Sequence, residues 1–280
     1  MRTLYVTDLD GTLLNTKDRI NPESLRMINE LTGRGMLFTY ATARSLASAS
    51  VVAEGLRLTL PVIVYNGAFI MEPCTGEILS SLFFSEEEAA FARENIEKAQ
   101  ATPLVYSFLE NVEKVSWNTR RENKGIERYL SLRKGDRRLR PLDGPEGLYD
   151  GKIFYYTCIG EKEELMPLYE TMSRDGRFRC TVQQELYRPE YFCEIMPCGA
   201  TKAEAIKKLK NMYNCDKVVS FGDAINDLPM FELSDECYAV ENAVPELKEA
   251  ATAVLDSNER DGVAKWLWEN CHLRSGGNEF

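Results

Sequence analysis

Short β-rich runs alternate with helix-patterned stretches at both ends of this chain and lose that rhythm in the middle. This limits the folds open to it more than any other feature. Thr3–Thr7 (TLYVT) stops at Asp8, and Asp10-Gly11 supplies turn chemistry. Asn21-Pro22 reads as the cap and first turn of a helix with Leu25, Ile28 and Leu31 at helical spacing, closed by Gly33 and Gly35. A strand over 36–41, a helix over about 46–56 and a strand over 61–65, turned by Asn66-Gly67, follow. The rhythm resumes after residue 200. Thr201 and Glu204 pattern as a capping box for a helix Lys202–Met212, and the strand Lys217–Phe221 halts at Gly222-Asp223. Asp227 reads as the cap of a short helix with Pro229 in its first turn; strands over 237–240 and 253–255 and a helix over 262–271 complete the series. Such alternation predicts an α/β fold, a Rossmann-like, doubly wound parallel sheet with helices on both faces.

Residues 85–189 have a different grain. A helix over 86–100 precedes strands over 105–109, 152–158 and 177–182 at uneven intervals, which predicts an inserted α+β domain. The expected division is a core of 1–84 with 190–280 and an insertion of 85–189. Within the insertion, Arg120–Arg140 carries nine Lys/Arg and three Asp/Glu. This basic island reads either as a contact for an anionic substrate or as a solvated face.

Composition removes several classes of function. The 280 residues hold 34 Lys+Arg against 44 Asp+Glu, a net charge of −10, which argues against nucleic acid or an anionic membrane as partner. No run approaches the roughly 18 apolar residues of a membrane span, and the first residues lack a signal-peptide pattern, so a cytoplasmic location is expected. None of the eight cysteines forms a Cys-x-x-Cys pair, and the one histidine, His272, stands near the end. Zinc chemistry and histidine catalysis are therefore set aside.

Four polar clusters carry the chemistry. Asp8 and Asp10 follow the first strand, where Leu9 points away from both. They read as nucleophile and acid/base partner, as a divalent-metal site, or simply as a turn. Thr42 ends the second strand, able to hold an anion or to cap the next helix. Lys202 lies in the first turn of a helix, where the dipole disfavours a cation by about 0.3–1 kcal/mol unless an anion or carboxylates reverse the sign. Gly222-Asp223-Ala224-Ile225-Asn226-Asp227 concentrates oxygen ligands suited to a hard cation such as Mg2+. In an open parallel sheet, all four can converge on the edge formed by the strand C-ends.

With these residues in hand, the chain resembles the haloacid dehalogenase-like phosphatases, specifically the Cof-type sugar-phosphatase branch. Asp8-Leu9-Asp10-Gly11-Thr12-Leu13-Leu14 matches the first family motif, Thr42 the second, Lys202 the third, and Gly222-Asp223 with Asn226-Asp227 the fourth; Asn66-Gly67-Ala68 and Asn242-Ala243 look like family turns. Ala43 departs from the glycine usual before the arginine. The resemblance implies that Asp8 attacks phosphorus and that Asp10 gives and then takes the proton. It implies Mg2+ held by the Asp8 carboxylate, the Asp10 backbone carbonyl and Asp223. Thr42 and Lys202 would hold phosphoryl oxygens, with Thr12, Asn226 and Asp227 orienting groups around them, and the insertion would serve as a cap that selects substrates. Arg44, Asn66 and Glu194 are the expected substrate contacts.

The expected function is thus Mg2+-dependent hydrolysis of small phosphorylated metabolites, sugar phosphates above all, through an aspartyl-phosphate. The competing expectations are a sugar phosphomutase or phosphotransferase using the same intermediate, and a non-catalytic metabolite-binding protein. Oligomeric state is not legible in the sequence.

Overall fold

The computed structural model describes residues 2–184 and 190–271. His272 lies outside the described residues. The chain divides into two compact units: one runs to Ser81 and resumes at Ala200, and the other is Leu82–Gly199.

In chain order the first unit opens with β1 (Thr3–Thr7), α1 (Pro22–Gly33), β2 (Leu37–Tyr40), α2 (Leu46–Val52), β3 (Val62–Val64), β4 (Phe69–Met71) and β5 (Ile78–Ser81). The second unit follows with α3 (Glu86–Lys98), β6 (Pro103–Leu109), β7 (Val112–Asn118), α4 (Lys124–Ser131), β8 (Leu139–Leu142), β9 (Lys152–Gly160), α5 (Lys162–Arg174), β10 (Phe178–Gln184) and β11 (Tyr191–Pro197). The first unit then resumes with α6 (Lys202–Met212), β12 (Lys217–Gly222), α7 (Leu228–Leu233), β13 (Glu236–Val240), α8 (Pro245–Ala250), β14 (Ala253–Leu255) and α9 (Gly262–Asn270). Among the described residues no helix is long and apolar enough to cross a membrane.

The central sheet of the first unit is wholly parallel, in the order β14-β13-β12-β1-β2. Parallel strands are covered on both faces, and the sequence shows it: Leu4, Val6, Val218, Val219 and Phe221 are all essentially inaccessible. Each such side chain contributes roughly 1.5–3 kcal/mol by burial. The chain winds from β1 to β2 on one side and later from β12 to β14 on the other. The point where the winding reverses lies between β1 and β12, whose register pairs Thr7 with Phe221. Ligands of such sheets bind at the C-terminal ends of the strands flanking that point.

Two sequence expectations change here. β3 joins the parallel sheet through a single bridge, Ala41 to Ile63, and instead forms an antiparallel sheet with β4 and β5. The reason is the Asn66-Gly67 turn, which sends the chain straight back rather than into a crossover helix. The helix expected over 46–56 ends at Val52.

The second unit carries a mixed sheet in the order β10-β11-β9-β6-β7-β8, parallel only between β7 and β8. Ala92 and Ile96 of α3 and Leu165, Leu168 and Met172 of α5 share a core with Tyr156, Cys158, Cys193 and Ile195 of the sheet. Because β11 pairs with both β10 and β9, the chain stays in this unit through Gly199, past the expected boundary at 189. Much of the basic island is paired with carboxylates of the same unit: Arg120 with Asp143, Arg128 with Glu190, Arg138 with Asp136 and Glu113, and Arg140 with Asp150.

Candidate active site

The site is built where β1 and β12 end. The Asp8 N–H donates to the Phe221 carbonyl at 2.9 Å, extending the ladder by one residue and leaving the Asp8 carboxylate buried at the strand end. β12 delivers Asp223 beside it. The third arrival is Lys202, in the first turn of α6, whose Thr201 hydroxyl accepts the Glu204 N–H at 3.1 Å. The Lys202 ammonium donates to Asp8 Oδ1 at 2.6 Å and to Asp227 Oδ1 at 2.7 Å, and its side chain is 1% exposed. Burying an unpaired ammonium at the positive end of a helix is unfavourable twice over; two carboxylates within hydrogen-bond reach reverse that balance. They also raise the lysine pKa above its ordinary value, although burial pulls it down.

Asp227 does more than the helix cap expected of it. Its carboxylate makes no cap bond to α7; Oδ2 accepts the N–H groups of Asp223 and Ala224 at 3.1 and 3.2 Å, while Oδ1 takes the lysine. One fully buried carboxylate thus fixes the loop that presents Asp223.

Asp223 Oδ1 accepts the Thr12 hydroxyl at 2.9 Å. Gly11, at φ +74°, lets the chain pass so close to Asp223 that a Cβ there would lie 2.3 Å from Oδ2. Carboxylate oxygens of Asp8, Asp223 and Asp227 lie within 4.8 Å of one another. Burial, together with the Asp227 charge, pushes Asp223 up to about 6 against the Thr12 hydrogen bond. Burial likewise raises Asp8 well above the ordinary carboxylate range, the Lys202 charge opposing it and the neighbouring aspartates adding to it. Three clustered carboxylates stand against one ammonium, which bonds two of them, an excess of hard oxygen charge that fits a divalent cation such as Mg2+.

The Asp10 carboxylate is separate from this triad. Arg44 grips it through Nε at 3.0 and 2.8 Å and through one terminal nitrogen at 2.5 Å. The same guanidinium reaches Asp18 at 3.3 Å and the Ser48 hydroxyl at 3.2 Å. Thr42 is inaccessible, and its hydroxyl accepts the Arg44 N–H at 3.1 Å. Capping of α2 falls to Ser45, which accepts from Ser48 N–H, so Thr42 is not spent on that task. Asn66 is buried beside it, its N–H donating to the Thr42 carbonyl at 2.9 Å. Asn226 is half-buried on the turn Ile225–Asp227. Glu194 belongs to the second unit, on β11, hydrogen-bonded to the Tyr155 side chain.

Two further asparagines hold the first motif in place. Asn242 donates to the Gly11 carbonyl at 2.7 Å and accepts the Asn258 N–H at 3.1 Å, while Asn258 donates to the Leu14 carbonyl at 2.8 Å. Asn242 stood in a recognisable turn. Asn258 had no sequence signal, since an asparagine in a loop says nothing about a carbonyl 244 residues away.

A parallel sheet whose winding reverses above a buried lysine and three clustered aspartates defines a hydrolase of the Rossmann-like class. The chain belongs to the haloacid dehalogenase-like hydrolase family, whose model matches residues 5–267. It is 27% identical, over 93% of its length and 95% of the relative's, to the 5-amino-6-(5-phospho-D-ribitylamino)uracil phosphatase YwtE of Bacillus subtilis. Among solved structures it is similar to TM0651 from Thermotoga maritima (29% identity, TM-score 0.76, covering 96% of this chain and 97% of that one). The subclass IIB sugar phosphatase BT4131 shares the fold at 20% identity and a TM-score of 0.73, with 96% of this chain and 98% of that chain covered.

Proposed function

We propose that this enzyme is a Mg2+-dependent phosphatase of small phosphorylated metabolites, sugar or polyol phosphates foremost, acting through an aspartyl-phosphate on Asp8. The observation that carries the reading is the Lys202 ammonium shared by Asp8 and Asp227 beside Asp223. The names of the relatives support it, two of them describing phosphatases of a ribityl phosphate and of sugars.

Mg2+ is proposed to bind at the Asp8 and Asp223 carboxylates with the Asp10 backbone carbonyl, beside Asp227, and would supply charge neutralisation between carboxylates and phosphate. Asp8 acts as nucleophile in its ionised form, which the Lys202 charge favours against burial. Lys202 occupies Oδ1, so the attack is assigned to Oδ2. That oxygen forms a bond to phosphorus as the ester P–O bond breaks, and Asp10 gives its proton to the departing alkoxide oxygen. Asp10 then takes a proton from the water that attacks phosphorus, releasing inorganic phosphate and the free Asp8 carboxylate. Lys202 and Thr42 hold the phosphoryl oxygens, where positioning and electrostatics do most of the catalytic work. Thr12 orients Asp223, Asp227 orients Lys202, and Asn226 and Arg44 orient groups around the reacting ester. The inserted unit is assigned the selection of substrates.

Release of phosphate from a generic aryl phosphate tests the reading. Activity that needs Mg2+, stops with EDTA and disappears in Asp8→Asn supports it, and an undiminished Asp8→Asn rate rejects the nucleophile. Isotope-labelled water separates hydrolysis, which puts the label in free phosphate, from transfer to another hydroxyl.

A further inference from the structure

Three consecutive residues, Tyr65, Asn66 and Gly67, have positive φ values of 51°, 53° and 100°. Two of them carry side chains that the left-handed region disfavours, although asparagine tolerates it better than most residues. Backbone strain persists only where the surroundings hold it, and here they do so from two sides. On one side, the Tyr65 N–H donates to the Arg44 carbonyl at 3.0 Å and the Asn66 N–H to the Thr42 carbonyl at 2.9 Å. On the other, the backbone of Gly67 lies against the start of α6, so closely that a Cβ there would stand 2.1 Å from the Thr201 carbonyl oxygen and 3.0 Å from the Lys202 nitrogen. The turn is wedged between Thr42 and Lys202, residues assigned to the same phosphoryl group but 160 positions apart in the chain. The Asn66 side chain gives no competing reason for an asparagine through its carbonyl, because Oδ1 is buried with no hydrogen-bond partner among the described residues.

We propose that the Tyr65–Gly67 turn is the spacer that sets Thr42 against Lys202, with Asn66 a positioning residue acting through its left-handed backbone. This rests on the phosphatase reading. The three carboxylates of the acidic cluster hang from β1 and from the segment after β12, whereas the spacer touches Thr42 and the start of α6, so disturbing the spacer is expected to weaken the grip on phosphate more than the hold on a cation.

The test uses the full-length protein and the variants Asn66→Val, Asn66→Ala and Asn66→Gly. Readouts are KM and kcat for an aryl phosphate, thermal-shift titration with inorganic phosphate, and the Mg2+ concentration at half-maximal thermal stabilisation. Valine, which resists positive φ most, is expected to weaken phosphate binding and raise KM at least about tenfold, with alanine intermediate and glycine the least impaired of the three. The Mg2+ midpoint is expected to stay within about twofold in all of them. If valine does not fold, the alanine–glycine contrast carries the test. Glycine as impaired as alanine, phosphate binding unmoved in both, or a Mg2+ midpoint shifting in step with phosphate would each overturn the proposal. A parent protein that neither binds phosphate nor hydrolyses the ester fails the reading beneath it, before any variant is compared.

Discussion

Lys202 donates a hydrogen bond of 2.6 Å to Asp8, joining the first turn of one helix to the end of a strand 194 residues earlier. Both groups are buried, and with Asp227 they form one ion cluster whose members depend on each other. Replacing Lys202 by Met leaves two buried carboxylates without their cation, a change that costs about 3–5 kcal/mol when one partner of a buried pair is removed. Denaturant unfolding in EDTA is expected to show a lower midpoint for Lys202→Met, with phosphate release lost. An unchanged midpoint would refute the cluster's structural role.

If Asp223 holds Mg2+ as proposed, proton and metal compete for its carboxylate. Burial and the Asp227 charge lift its pKa from the ordinary 3.8 to about 6 in the metal-free protein. A carboxylate with a raised folded pKa contributes stability that is complete below 3.8 and is lost as pH rises through 6. Mg2+ is therefore expected to bind about tenfold more weakly at pH 5 than at pH 7 from this group alone, and to raise Tm more at pH 7. The raised Asp8 adds to the same trend. Calorimetric titration at the two pH values checks this, and affinity independent of pH would exclude Asp223 as a ligand.

Gly11 and Asp223 are coupled by contact. Adding a methyl group at Gly11 drives it to within 2.3 Å of Asp223 Oδ2 at a positive φ. Gly11→Ala is expected to cost about 1–3 kcal/mol of unfolding free energy and to weaken Mg2+ binding. The cost should shrink in an Asp223→Ala background, where the clash is gone. Strictly additive costs in the double mutant would show that the strain lies in the backbone alone.

Much of this was legible in residue order. Thr3–Thr7, Lys202–Met212 and Ala253–Leu255 were read with the bounds the structure gives them, because apolar runs and caps are local signals. The Asp8, Thr42, Lys202 and Asp223 clusters were found for the same reason: each sits at the end of a strand or the start of a helix, where sequence patterns are sharpest. The turn at Asn66-Gly67 was visible too, but not its effect of sending β3 into a separate antiparallel sheet.

Sequence by itself settled the fold class and the inventory of chemical groups, since periodicity and motif spacing are properties of neighbours along the chain. Only the tertiary structure decided how those groups divide: Asp227 on the lysine rather than capping a helix, and the Asp10 carboxylate in the fork of Arg44. Those choices depend on distances between strand ends and on which buried charge finds a partner, and neither is encoded within any single stretch of residues.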